Sequence, residues 1–262
     1  MFIISGSTHQ RLGVALAQET GAEFCGVINK AYPDGERYVR ILRQVSGRDV
    51  VVIQNTFPDE KIVELLLLLE AIREAGAASV TTVIPYMGYA RQERIFQEGE
   101  AIAARAVARP IGMRSDRVLT VSIHTPEVLD FFGCPAEDID GLREVVRYLK
   151  GFTPGLVVAP DAGARERCAI AAKELNAPLH VMTKKRLDDR TVETDSGRVS
   201  IKGQTVVILD DIISTGGTIA SAALLLKAAG ATHVPAAGTA GAFAAADANL
   251  PRARARAPSP SP

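Results

Sequence analysis

Along the chain, short runs that are apolar at nearly every position alternate with longer stretches whose apolar residues recur at helical spacing. Residues 2–5, 50–54, 80–84, 118–123, 156–159 and 206–209 are such runs, rich in β-branched side chains on both faces. That is the pattern of parallel strands covered by helices on each side. Segments 12–20, 62–75, 165–175 and 219–229 supply the crossover helices that parallel strands need. The pattern predicts an α/β fold with parallel sheets. The most apolar window, 62–69, is interrupted by Glu64 and reads as a buried helix, since a membrane span needs roughly 20 apolar residues. Pro110 falls where a helix from Glu100 should continue; it removes a backbone donor and is expected to end or kink that helix near Arg109.

An internal resemblance bears on domain organisation. VVVIQN at 50–55 and VVILDD at 206–211 each precede a loop, a leucine-rich helix and a Gly-Ala step, at Gly76-Ala77 and Gly230-Ala231; the second step comes two residues sooner. Two readings stand: chance similarity between strand–loop–helix units, or two related α/β domains. On the second reading only the later copy keeps an acidic pair and glycines, and the earlier one carries Gln54, Asn55, Phe57 and Pro58 in their place. The boundary is expected between 141 and 154, giving domains 1–145 and 146–249. Beyond them, 250–262 alternates Ala, Arg, Pro and Ser and is expected to be disordered. The abrupt change in composition reads as a terminus truncated, or translated out of frame from a GC-rich gene.

Thirty basic residues balance thirty acidic ones, so no global field draws the molecule to nucleic acid or to an anionic membrane. Cys25, Cys134 and Cys168 form no CxxC pair and are odd in number, which argues against a disulfide framework and a structural zinc site. With no basic segment ahead of an apolar stretch at the start, a cytoplasmic location is expected.

The segment 206–218, VVILDDIISTGGT, sets two carboxylates at the end of a buried strand and then a hydroxyl- and glycine-rich turn that opens a helix. Strand carboxyl ends are where α/β folds bind ligands. Gly216 and Gly217 allow the backbone to approach an anion, Ser214, Thr215 and Thr218 offer hydroxyls, and the helix start offers N–H groups. Asp210 and Asp211 can accept hydrogen bonds from vicinal ribose hydroxyls. The segment resembles the phosphoribosyl pyrophosphate signature shared by phosphoribosyltransferases and ribose-phosphate diphosphokinases, and by itself it does not separate the two.

Four further motifs carry a resemblance to ribose-phosphate diphosphokinases, especially their shorter archaeal forms, over nearly the whole chain to about Phe243. They are PDGE at 33–36, PYMGYARQER at 85–94, the pair HTPEVLDFFG from His124 with APDAGARERCAIAAKEL from Ala159, and TKKR at 183–186. The resemblance implies two similar phosphoribosyltransferase-like domains, each with a mainly parallel sheet flanked by helices. It implies an ATP site at Asp34, Glu36, Arg91 and Gln92, and His124 and Asp161 nearest an ATP-bound Mg²⁺. It implies catalytic Lys184 and Arg186 at the base of a loop over the reacting phosphates, and a ribose 5-phosphate site at Asp210, Asp211, Ser214, Thr215, Gly216, Gly217 and Thr218. Homo-oligomers are implied as well. Guanidinium groups suit such a nucleotide site because they present paired donors to phosphate oxygens.

The implied reaction is transfer of the pyrophosphoryl group of Mg·ATP to ribose 5-phosphate. No GxxxxGK[ST] is present, so ATP would be held without a Walker loop. The alternatives are a phosphoribosyltransferase, which would use 210–218 alike, and a non-catalytic relative. Two departures stand out: Ser122 replaces the acidic residue that many relatives carry two positions before the histidine, and after Val234 the chain leaves the expected strand and helix.

Overall fold

A computed structural model of the chain describes residues 1–182, 191–194, 197–213 and 216–241. They fall into two compact units, Met1–Gly141 and the residues from Leu142 onward.

The first unit runs β1 (Phe2–Ser5), α1 (Gln10–Thr20), β2 (Glu23–Cys25), β3 (Val27–Ala31), β4 (Arg37–Ile41), β5 (Asp49–Ile53), α2 (Glu60–Glu74), β6 (Ser79–Ile84), α3 (Ala103–Gly112), β7 (Arg117–Val121), a 3-10 helix (Pro126–Phe132) and β8 (Ala136–Ile139). Six strands form one parallel sheet in the order β2-β1-β5-β6-β7-β8, while β3 and β4 pair antiparallel as a separate hairpin. Side chains alternate across a strand. Phe2, Ile4, Val50 and Val52 therefore join Leu65, Leu68, Leu69 and Ile72 of α2 on one face, while Ile3 and Ile53 meet Ala17 of α1 on the other. Both faces are covered, which is why these strands read as unbroken apolar runs.

The four α2 residues stand at i, i+3, i+4 and i+7, one helical stripe. Fully burying each such side chain contributes about 1.5–3 kcal/mol. The expectation of a buried helix at 62–69 needs correcting, because Val63 and Leu67 lie on the opposite side of α2, 49% and 38% exposed.

The second unit runs α4 (Leu142–Lys150), β9 (Leu156–Ala159), α5 (Arg165–Leu175), β10 (Leu179–Val181), β11 (Thr191–Thr194), β12 (Gly197–Ser200), β13 (Val206–Ile213), α6 (Gly217–Ala228) and β14 (Ala236–Gly241). Its parallel sheet has the order β10-β9-β13-β14, with β11 and β12 as an antiparallel hairpin. Laid over β2-β1-β5-β6, this is the same arrangement, down to a hairpin inserted between the second and third strands of each copy. Register agrees too, since Phe2 lies opposite Val50 and Leu156 opposite Val206. Aligned on the Gly-Ala steps, the buried Ala222 and Leu226 of α6 fall on the buried Leu68 and Ile72 of α2. Of the two readings of the internal resemblance, the topology favours related domains.

Three further expectations differ from the structure. Pro110 does not end α3, which continues to Gly112. Pro110 lies in the last turn, where only one ladder bond is lost, and the Met113 and Arg114 amides still bond back to Arg109 and Ile111. Strand β13 does not stop at Leu209 but runs through both aspartates to Ile213, because β14 pairs along its length, Ile208 opposite Ala236 and Ile213 opposite Gly241. That pairing is the third correction, since the chain after Val234 does build a strand. The expected disordered tail lies outside the described residues. No helix among the described residues is long and apolar enough to cross a membrane.

At Gly112 the backbone of the 3-10 helix passes so close that an added Cβ would stand 1.8 Å from the Phe132 carbonyl oxygen. Gly112→Ala should therefore force α3 away from that segment and cost about 1–3 kcal/mol, the usual range for overpacking. A urea midpoint unchanged from the parent protein would refute this reading of the contact.

Candidate functional site

In the second unit the acidic pair sits on β13 at the carboxyl edge of the sheet. The Asp210 Oδ1 accepts the Asp211 amide at 2.9 Å, and the Asp211 Oδ1 accepts the Ile212 amide at 2.7 Å. Asp161 follows β9, the neighbouring strand, and its Oδ1 accepts the amides of Gly163 and Ala164 at 2.9 and 3.2 Å. These bonds tie the loop into the start of α5. Burial, the bond from Asp211 and the like charges of Asp211 and Asp161 push the Asp210 carboxyl up to about 6 from an ordinary 3.8. Three carboxylates thus stand close together at one edge. Gly216 takes the left-handed conformation, φ 75°, that turns the chain into α6, whose first two residues are Gly217 and Thr218. The site therefore combines hydroxyl acceptors on a strand with the amide end of a 12-residue helix. Ser214, Thr215, Lys184 and Arg186 lie outside the described residues.

Two residues that the sequence reading left unassigned hold this edge in place. Arg167 on α5 donates to the Thr239 hydroxyl at 3.2 Å, and that hydroxyl donates to the Asp211 carbonyl at 3.0 Å. Arg167 was visible in the 159–175 motif; Thr239 was not, because AAGTAG has little strand character. Burial and the nearby Asp210 charge push the Cys168 thiol up to about 12, so it serves as a donor to the Leu209 carbonyl and not as a nucleophile.

In the first unit, Asp34 and Glu36 form the exposed turn between β3 and β4, where Asp34 Oδ1 accepts the Glu36 amide at 3.1 Å. Gly35, at φ 94°, makes that turn possible. A cavity of about 390 Å³ beside it is lined by Gly35, Glu36, Arg37, Glu60, Val63 and Leu67. Arg91 and Gln92 are not among those residues; they follow β6, after Tyr89 at φ 65°, and the Gln92 amide bonds to the Tyr89 carbonyl. Asp34 and Glu36 thus lie on the β3–β4 turn, and Arg91 and Gln92 on the segment after β6.

His124 is exposed and follows β7. Its backbone is set by Asp138 on β8, an unforeseen residue, whose Oδ1 accepts the Thr120 hydroxyl at 2.5 Å and the Ile123 amide at 2.9 Å. Among the described residues no group of three His, Cys, Asp or Glu is arranged to hold a metal ion. Mg²⁺ does not need such a cage, since it keeps several waters and shares substrate phosphate oxygens. Asp161 offers the hard oxygen it prefers, and an edge of crowded carboxylates favours a cation; an imidazole at His124 fits better through water.

The repeated parallel sheet, with an acidic pair and a glycine turn at the carboxyl edge of one copy, defines a chain of phosphoribosyltransferase-type domains. A family model described as the phosphoribosyl transferase domain matches residues 139–251, and one described as the N-terminal domain of ribose phosphate pyrophosphokinase matches residues 1–113. A ribose-phosphate pyrophosphokinase of Methanopyrus kandleri is 38% identical over 91% of this chain and 84% of its own length. One from Pyrococcus furiosus is 41% identical over 82% and 77%. The crystal structure of a phosphoribosylpyrophosphate synthetase from Mycobacterium smegmatis, 27% identical, superposes with a TM-score of 0.75 over 92% of this chain and 81% of that one. The chain belongs to the ribose-phosphate pyrophosphokinase family.

The raised Asp210 pKa fixes a pH dependence. The protonated carboxyl stabilises the fold fully below about pH 4, and that contribution is lost as pH rises through about 6. Urea midpoints of the parent and of Asp210→Asn should therefore be closest near pH 4 and separate by pH 7, with the variant the more stable. A variant no more stable at pH 7 would mean that the charge is already compensated.

Proposed function

We propose that the chain is a ribose-phosphate diphosphokinase, transferring the pyrophosphoryl group of Mg·ATP to the anomeric hydroxyl of ribose 5-phosphate and releasing AMP. The observation that carries this reading is Asp210 and Asp211 standing on β13 directly before the turn into α6, in a chain whose relatives bear that enzyme name. Asp210 and Asp211 accept the ribose hydroxyls. The turn from Ser214 through Thr215, Gly216 and Gly217 to Thr218 receives the 5-phosphate, with helix amides and hydroxyls as donors. Asp34 and Glu36 take the adenine side of ATP, and Arg91 and Gln92 hold the nucleotide and its phosphates.

In the reaction the anomeric oxygen forms a bond to the β-phosphorus as the bond from that phosphorus to the bridging oxygen breaks. The bridging oxygen leaves with AMP, and the hydroxyl proton passes to solvent. Such a transfer needs alignment and positive charge more than covalent help. Lys184 and Arg186 supply charge to the group in flight. Asp161 would hold Mg²⁺ through its carboxylate and His124 through water, and the ion would supply positive charge to the polyphosphate. We place the enzyme in the cytoplasm as a homo-oligomer, with neither nucleic acid nor membrane as a partner.

Purified protein incubated with Mg·ATP should form AMP only when ribose 5-phosphate is also present, as resolved by nucleotide chromatography. Consumption of a nucleobase with phosphoribosyl pyrophosphate instead would replace this reading with a phosphoribosyltransferase. Loss of one transition-state cation commonly costs about 3 kcal/mol, a factor of about a hundred or more in rate. Lys184→Ala should thus lower kcat by that factor while changing the KM for ribose 5-phosphate far less. Equal losses in both would remove Lys184 from its catalytic role.

A further inference from the structure

The first unit has the same carboxyl edge as the second, and the two edges differ in what occupies them. Aligned on the Gly-Ala steps, Glu64 falls on Thr218, Lys61 on Thr215 and Glu60 on Ser214, so α2 covers the positions that correspond to 214–218 in the second copy. Helix α2 begins at Glu60, three residues earlier on this alignment than α6 at Gly217. On this alignment the first turn of α2 takes up the positions that correspond to 214–216.

Glu64 is wholly buried, an unusual place for a carboxylate. Its Oε1 accepts the Ser7 amide at 2.7 Å; its Oε2 accepts the Ser7 hydroxyl at 2.8 Å and the Lys61 ammonium at 3.1 Å. Lys61 also donates to the Ser7 hydroxyl at 2.9 Å. A backbone N–H, a hydroxyl and an ammonium converging on two oxygens is the donor set of an oxyanion site. Gln54, which the strand register rather than the Gly-Ala step matches to Asp210, is also wholly buried, and its Nε2 has no hydrogen-bond partner among the described residues. The Gln54 amide and Glu64 Oε1 converge on Gly6, where an added Cβ would meet them at 2.4 and 3.1 Å.

We propose that the first unit carries the counterpart of the phosphate cradle, with the Glu64 carboxylate as its built-in occupant, so that one chain accepts one sugar phosphate. The donors Ser7 and Lys61 hold a carboxylate from their own chain as they would hold a small external oxyanion. Burial alone would raise the Glu64 pKa, and the bonds from the Ser7 amide and hydroxyl and from Lys61 more than reverse that, leaving it lowered. The cradle is therefore filled by an ionised group over the physiological range. The count of one per chain rests on the reading of 210–218 as the sugar-phosphate site; the occupancy of the first cradle does not.

The test uses the full chain. In Glu64→Ala, backbone amides in residues 6–13 should exchange hydrogen at least about tenfold faster than in the parent, by mass spectrometry. Formate, and separately inorganic phosphate, should restore their protection in a saturable way that chloride at equal ionic strength does not match, while the parent segment stays unresponsive. Glu64→Thr, which supplies the residue of the second copy, should behave likewise and serves if the alanine variant does not fold. Unchanged exchange, or faster exchange that neither anion slows, would overturn the proposal. Titration of the parent protein with ribose 5-phosphate should give one site per chain. Two sites would also overturn it, whereas none would sink the reading of 210–218 and leave the exchange result to decide the Glu64 cradle.

Discussion

Carboxylates gathered at the ends of parallel strands dominate this structure. Parallel strands deliver every following loop to the same edge of the sheet, so residues far apart in sequence, Asp161 after β9 and Asp210 with Asp211 on β13, arrive side by side. Their charges repel, and partial burial removes much of the water that would screen them. A cation or protonation can relieve this, and so can ribose hydroxyls that donate hydrogen bonds. The raised Asp210 pKa reflects burial first and these neighbouring charges second, and the Arg167–Thr239–Asp211 chain ties the strand to α5 and β14.

The same scaffold answers the same problem differently in the first unit. There the strand-end pair is uncharged, Gln54 and Asn55, and the Glu64 carboxylate beside it is matched by donors from its own chain. Asn55 has become a strut, its side-chain oxygen accepting the Tyr86 amide at 2.9 Å and its amide donating to the Thr8 hydroxyl at 3.0 Å. One copy pairs its carboxylate within the chain, while the other gathers Asp161, Asp210 and Asp211 at its edge. Burying an ion pair is weak evidence for stability; its use here fits exclusion of competing anions better than strengthening of the fold.

Legibility in the sequence followed burial. Strands β1 and β9 could be read to the residue, because strands covered on both faces are apolar throughout. The edge strands β2 and β10 have three residues each, too short for any period to show. The hairpin β3–β4 is half-exposed and mixes Val and Ile with Asn, Lys and Arg, and β14 is built from Ala, Gly and Thr, so neither shows an unbroken apolar run. At the site, residues inside local motifs were visible, Asp161, Asp210 and Gly216 among them. Asp138 and Thr239 were not, because each acts across a strand pairing that brings distant segments together.

The turn before His124 shows what such pairing can replace. Ser122 stands where many relatives carry an acidic residue, and loss of that charge could have disturbed the strand end. The register is nonetheless regular through Val121 opposite Ile139, and the Ser122 amide bonds to the Ile139 carbonyl. Ser122 takes φ 47°, a left-handed conformation disfavoured for most residues, and its hydroxyl accepts the Gly141 amide at 3.0 Å. Asp138 meanwhile secures the strand end from the neighbouring strand through Thr120 and Ile123. The backbone ahead of His124 is thus held by hydrogen bonds that need no charge at position 122. What the serine changes is electrostatic: position 122 places no negative charge near His124.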